Sequence, residues 1–473
     1  MIFSSYKFIF LFFPAVWLGF LALRRWLGST AVKVWLVAAS LLFYALGQPD
    51  YALMFAATVA VNYLLMLGMD RAKKSPWRHV LFAAALVWDL GLLVYFKYLD
   101  FFKETVNLVF GTELSLLRPA LPIGISFFTF QILAYTAALW RGEAKLPGAL
   151  DYAVFITFFP QLIVGPIMRN EELVPQIQGD GLLEKGRIDL RRGLMLFSFG
   201  CAKKVLLATP LIDMAQEFYS GTVAFASVPA AWLGVFAYVF AYYFDFSGYI
   251  DMARGLGHFF GVELPVNFDS PYKARDFADF WRRWNMTVSR FWSDTVFNNL
   301  FGFGDGIGRL IFATVATFTV SGLWHGAGWH FVVWGVVNGL LVSLANVRRV
   351  RRRKPLPAWL GVTVTFIVGG LVRVLFDANG LTQALEVYKR LFAFGEMIHV
   401  RTMWNELSYF VTTHPEGTAA LVLGAAVCFL LPNTNSISKK TDFRWYDAAV
   451  CGALLGLSLF FMTGVSKFLY FNF

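Results

Sequence analysis

Long apolar blocks separated by short polar joints dominate the chain. They lie near residues 5–23, 32–47, 51–69, 79–98, 121–139, 149–164, 193–212, 228–250, 308–323, 328–346, 357–376, 418–431 and 446–464. Most approach the ~20 apolar residues with which a helix crosses a hydrocarbon core roughly 30 Å thick, and several fall short. The pattern predicts an all-α polytopic membrane protein with about eleven transmembrane helices plus re-entrant or interfacial pieces, since broken backbone at membrane depth is tolerated only where protein or a cavity covers it. The longest polar connections, about 165–192, 262–282 and 377–415, are too short to fold alone around a core. No internal repeat is visible, and one membrane domain over 1–473 is expected.

Composition sharpens this. Hydrophobic residues make up 58% of the chain and charged residues 15%, against about 25% charged in soluble domains. The net charge of +11 comes largely from clusters between spans: Arg24-Arg25, Arg71 to Arg78 and Arg348 to Lys354. Loop-end basic clusters follow the positive-inside rule, which removes the nucleic-acid reading of the charge. That rule puts both termini and the 377–415 segment outside, and Arg348–Lys354 and Lys439-Lys440 in the cytoplasm. The run Phe8–Leu23 is followed, not preceded, by its charges and reads as a permanent span rather than a signal peptide. Cys201, Cys428 and Cys451 have no metal or redox spacing and read as small core residues. No metal is expected.

Chemistry concentrates in two places. His325 stands in Ser321-Gly322-Leu323-Trp324-His325-Gly326-Ala327-Gly328-Trp329-His330. An ionisable group in such an apolar stretch is a functional-site candidate, and imidazole exchanges protons near neutral pH. The small residues around it leave room for substrate or for close backbone approach. His330, five residues on, points away from His325 on a helix and reads as structural or cavity-lining. His258 is expected at an interface, and His79, His399 and His414 in solvent.

The second place is Asp276–Trp292. Read as one helix, it aligns Ala278, Trp281, Asn285, Ser289 and Trp292 on a single face, suited to lining a polar cavity or, in the plainer reading, to lying at the interface with snorkelling arginines. Upstream, Asp245 and Asp251 need partners in their apolar setting, and Arg254 is the obvious one. A buried ion pair and a catalytic role are both open for them. Asn267–Pro271 reads as turns.

Taken in order, Tyr243-Phe244-Asp245-Phe246-Ser247-Gly248-Tyr249-Ile250-Asp251-Met252-Ala253, Asn267-Phe268 with Pro271-Tyr272, Asp279-Phe280-Trp281-Arg282-Arg283-Trp284 and Ser321-Gly322-Leu323-Trp324-His325-Gly326-Ala327 resemble the membrane-bound O-acyltransferase family. The resemblance is to its bacterial alginate O-acetyltransferase and teichoic-acid D-alanyl transfer branch. Ile2-Phe3-Ser4-Ser5, Phe159-Pro160-Gln161, Gly165-Pro166-Ile167 and the Phe468–Phe473 ending support it.

The resemblance implies helices around a central funnel or tunnel in a bacterial inner membrane. It implies acyl transfer from a cytoplasmic thioester, acetyl-coenzyme A or an acyl carrier, to an extracytoplasmic polysaccharide or cell-wall polymer. No tightly bound cofactor is implied, and an extracytoplasmic transferase or small membrane peptide is the expected partner. The family's histidine falls on His325. The residue after Arg-Arg-Trp is histidine in the bacterial polysaccharide branch and is Asn285 here, as in eukaryotic relatives that acylate sterols, glycerolipids and peptides. His325 is thus expected as general base and Asn285 as a polarising or positioning group, with Trp281, Ser289, Trp324, His330, Asp245 and Asp251 around the substrate. A transporter or flippase, or a scaffold for a periplasmic transferase, are the competing classes.

Overall fold

The computed structural model describes residues 1–220, 227–302, 304–394, 400–439, 443–462 and 469. His399, Lys440 and the Phe468–Phe473 ending, Leu469 apart, lie outside them. Among the described residues there is no strand. Nine helices there are long and apolar enough to cross a membrane: Phe8–Trp26, Ser29–Gly47, Pro49–Arg71, Trp77–Phe110, Leu190–Ser220, Val228–Phe259, Ile307–His325, Trp329–Val350 and Ala358–Asp377. Val400–Thr413 and Pro415–Leu430 form a pair bent by 95°. The chain is a multi-pass membrane protein.

Several predicted blocks are shorter or more broken than their hydropathy suggests. Residues 149–164 form two pieces, Ala149–Thr157 and Phe159–Leu162. Pro160 sits in the first turn of the second piece, where a missing N–H does no harm, and Gly165 folds back so tightly that a Cβ would lie 2.2 Å from the Gln161 Cα. The block at 121–139 becomes a 17-residue helix, Ile125–Arg141, with Ile125 to Ile132 wholly buried. The turn between the first two spans passes through Gly28 at φ 83°, a conformation that glycine adopts without penalty.

The described chain divides into two compact units. The first comprises Met1–Phe197 and Tyr249–Pro265. Aromatic rings fill it, with Phe3 stacked on Tyr249 at 4.8 Å between centroids. Two of its polar pairs are close: Lys33 Nζ lies 2.6 Å from Asp151, and Asn62 Nδ2 donates to Asp89 at 2.7 Å. Arg254 is buried, donates to the Leu264 carbonyl at 3.3 Å and feels the charge of Asp251. His258, expected at an interface, is 5% exposed, because the turn after Phe259 folds back and the His258 carbonyl accepts from Asp189 N–H at 3.2 Å.

The second unit comprises Ser198–Gly248 and Val266–Phe473. Asp245 does not pair with Arg254. It forms an ion pair with Lys204, with both side chains at most 3% exposed, and accepts the Leu469 backbone N–H at 2.8 Å. Lys204 sits in a π-helical turn, Lys203–Ala208. Ile307–His325 and Trp329–Val350 pack closely: a Cβ on Gly322 would lie 2.3 Å from the Phe331 carbonyl oxygen, and one on Gly335 would lie 2.4 Å from that of Phe318. Small residues let membrane helices approach this closely. Gly322, just before His325, thus serves backbone approach. Cys201, Cys428 and Cys451 are buried free thiols.

Candidate active site

The segment 276–292 is not one helix. It breaks into Phe277–Arg283 and Met286–Trp292, with Asn285 between them in the left-handed region at φ 42° and ψ 55°. Asparagine enters that region more readily than other side chains that carry a Cβ. Asn267 stabilises the break. Its carbonyl accepts from Met286 N–H at 3.0 Å, its Oδ1 from Thr287 N–H at 3.4 Å, and its Nδ2 donates to Asn285 Oδ1 at 3.3 Å. Two of the four orphan donors of the helix start are thereby satisfied by Asn267. Asn267, expected only as part of a turn, is the clamp of this break and is itself 1% exposed.

Although the face is not continuous, Ala278, Trp281, Asn285, Ser289 and Trp292 still line one cavity of about 300 Å³. Ser321, His325, Arg282 and Arg349 are also on its walls. Asn285 is 3% exposed. Its Oδ1 is taken by Asn267, so the amide hydrogens are what it can offer to the cavity. Ser289 Oγ donates to the Trp284 carbonyl at 3.2 Å. The volume falls at the lower end of the roughly 300–1,000 Å³ of small-molecule sites.

His325 is the last residue of its helix. The chain leaves through Gly326, where any Cβ would strike the Phe331 ring at 1.9 Å. The imidazole centroid lies 4.6 Å from that of Trp324, 5.3 Å from Trp334 and 5.1 Å from Phe376. A second cavity of about 60 Å³ has His325, Trp334, Phe376, Tyr242, Asn338 and Arg373 among its walls. Trp281, Trp284 and His325 belong to both walls. Trp281 is fixed by donating from Nε1 to Asn338 Oδ1 at 3.2 Å.

The other anticipated residues fall elsewhere. Trp324 packs on His325 but lines neither cavity. His330 stacks against Phe331 at 4.2 Å, and neither it nor Asp245 or Asp251 is on the two walls. His414 pairs with Glu217 rather than standing free in solvent, while exposed His79 accepts from Trp140 Nε1 at 3.3 Å. Arg373 and Asn338 also line the smaller cavity, without a motif in the sequence that marks them. Their signal was polarity inside apolar spans, a weaker cue than the motif around His325. No cluster of three or more metal-ligating side chains occurs among the described residues.

Charged groups rim the larger cavity. Arg349 Nη2 donates to Asp276 at 2.6 and 2.7 Å, and Asp276 also accepts from Asp279 N–H at 2.7 Å. Partial burial pushes the Asp279 carboxyl up, but the Arg283 hydrogen bond, the Arg275 N–H and the nearby guanidinium charges outweigh it and hold the group below its ordinary value. A carboxyl depressed in the folded protein contributes stability above its unfolded value of about 3.9, and loses it as pH falls through the folded value. The thermal midpoint of wild type in detergent should therefore drop below pH 4 more steeply than that of Asp279→Asn. Parallel curves would remove Asp279 as a source of acid sensitivity.

A multi-pass membrane protein with a buried histidine shared by two cavities has the features of a membrane enzyme. Comparison with known proteins gives the class its name. The membrane-bound O-acyltransferase family model matches residues 127–363, and the chain belongs to that family and is an acyltransferase. It is 31% identical to a peptidoglycan O-acetyltransferase of Helicobacter pylori over 100% of this chain and 98% of that one. It is 34% identical to a probable alginate O-acetylase of Azotobacter vinelandii, covering 84% of this chain and 79% of the other. A teichoic acid D-alanyltransferase of Streptococcus thermophilus is 28% identical over 52% of this chain and 65% of its own.

Proposed function

We propose that the chain transfers an acyl group, acetyl by analogy with its relatives' names, from a thioester donor to an acceptor hydroxyl, for modification of an extracytoplasmic polysaccharide or cell-wall polymer. The observation that carries this reading is the position of His325 on the walls of both cavities, with Asn285 on one of them. The donor, acetyl-coenzyme A or an acyl-carrier thioester, enters the larger cavity, where Arg282 and Arg349 suit an anionic carrier. The acceptor hydroxyl reaches His325 from the smaller one.

His325 takes the hydroxyl proton as the oxygen attacks the thioester carbonyl. The carbonyl oxygen becomes an oxyanion and accepts hydrogen bonds from the Asn285 amide. The tetrahedral adduct collapses, the C–S bond breaks, and protonated His325 returns its proton to the departing thiolate. Ester and thiol are the products. General acid–base help of this kind contributes roughly 10²–10⁴ in rate. The chain lies in the bacterial inner membrane with both termini outside. An extracytoplasmic transferase or a small membrane peptide hands the acyl group onward.

Reconstitution in liposomes with radiolabelled acetyl-coenzyme A tests the reading, by following label onto a glycan acceptor or a partner. Wild type should move label in a single turnover. Asn285→Gly keeps the left-handed backbone but deletes the amide, and should slow that turnover by about 10²-fold, the effect of losing one oxyanion donor. Transfer by Asn285→Gly at the wild-type rate would remove Asn285 from the chemistry. Failure of wild type to release thiol with any acetyl or acyl-carrier donor, partner present, would overturn the acyl-transfer reading.

A further inference from the structure

Among the described residues every buried aspartate has a cation close by, except one. Lys204 serves Asp245 and Arg373 serves Asp377, while Arg254 feels the charge of Asp251. Asp89 lies within the Trp77–Phe110 span, 1% exposed, and no described residue forms an ion pair with it. A carboxylate left alone at that depth is expensive. Asn62 donates to its Oδ1, but an amide brings no charge.

Three buried oxygens of this neighbourhood have no hydrogen-bond partner: Asp89 Oδ2, Asn62 Oδ1 and Tyr152 Oη. Asn62, on Pro49–Arg71, is fully buried, and its Nδ2 is shared between Asp89 and the Thr58 carbonyl at 3.1 Å. Tyr152, on Ala149–Thr157, is 1% exposed. Its ring lies 5.5 Å from that of Tyr63, the neighbour of Asn62, and it feels the Asp89 charge. A tyrosine hydroxyl is a donor that either of the other two oxygens could take, yet no such bond forms. The three oxygens, carried by three helices, are thus gathered without closing on one another. A proton on Asp89 would serve one of them; a cation would serve all three.

We propose that Asp89, Asn62 and Tyr152 hold a sodium ion that ties three helices of the first unit together. An all-oxygen set suits a hard cation, and it offers neither the thiolate nor the imidazole that transition metals favour. With one carboxylate, a monovalent ion cancels the charge, whereas a divalent ion would leave a net charge in an apolar bundle. Asn62 and Asp89 are 2.7 Å apart across their hydrogen bond, which favours the smaller sodium over potassium. None of the three residues is on the walls of the two cavities, so the ion acts on helix packing and stability and not on the chemistry.

The test uses the full-length protein, purified in N-methylglucamine chloride and titrated with sodium chloride at constant ionic strength. Radioactive sodium should bind saturably to wild type. The thermal midpoint should rise by several degrees, as for any ligand of the folded state held well above its Kd, and potassium should do little. Asp89→Asn keeps the shape without the charge and should lose both uptake and shift. Tyr152→Phe should weaken sodium binding by about tenfold, the scale of one contact to a charged group. No uptake by wild type, equal uptake by folded Asp89→Asn, or the same shift with potassium would each overturn the proposal. Dicyclohexylcarbodiimide, which attacks protonated carboxyls in apolar surroundings, covers the rival outcome. Sodium should protect Asp89 from it; labelling of Asp89 that sodium does not slow would mean that a proton neutralises the carboxyl, and would overturn the proposal as well. The wild-type arms decide even where a variant does not fold.

Discussion

His325→Ala, folded and reconstituted, is expected to lose single-turnover acyl transfer by at least about 10²-fold, and toward 10⁴-fold if proton transfer limits the step. The argument rests on place as well as chemistry. His325 lies on both cavity walls, and the apolar rings of Trp324, Trp334 and Phe376 surround it. Removing the imidazole also removes packing, so His325→Gln serves as the companion. It retains bulk and hydrogen bonding without an exchangeable proton near neutral pH, and should be nearly as slow. Donor binding, read by retention of labelled acetyl-coenzyme A on the variant, should stay within a few-fold of wild type. Transfer by either folded variant within threefold of wild type would show that His325 is not the base.

Lys204→Met alone should destabilise the protein by about 3–5 kcal/mol, because it leaves the Asp245 carboxylate buried without its counter-charge. The double variant Lys204→Met/Asp245→Leu should recover most of that loss, as apolar replacements of buried pairs often do. Recovery stops short of complete, since the Leu469 N–H loses its acceptor. Thermal unfolding of the three proteins in detergent checks this. The same series separates the two roles left open for Asp245 by its sequence context. A stable double variant that still transfers acyl groups makes Asp245 structural; a stable but inactive one gives it a part in the reaction.

Much of this was legible in the residue order. Apolar blocks marked the nine long helices, and the histidine in an apolar, small-residue stretch pointed to His325. The cavity wall built by Trp281, Asn285, Ser289 and Trp292 was anticipated from a helical repeat that the chain does not keep. The true cause is tertiary. Asn267, eighteen residues upstream of Asn285, caps the second half-helix, and no local pattern announces so distant a clamp. Partner choice was hidden for the same reason: Arg254 is near Asp245 in sequence, but Lys204 reaches it in space. Arg373 shows the opposite case, a visible charge in a span whose meaning depends on which rings and cavity surround it.

The Lys204–Asp245 and Arg373–Asp377 pairs of the second unit also differ in when they can form. Arg373 and Asp377 leave the ribosome within one helical turn of each other, so their span can enter the bilayer already neutralised. Lys204 is made forty-one residues before Asp245, and its helix must wait for the next to be synthesised before the charge is matched. Insertion of Leu190–Ser220 and Val228–Phe259 is therefore expected to be coupled, since the charge on the first is matched only when the second arrives. In the order of biogenesis, these two helices behave as one unit of delivery to the membrane.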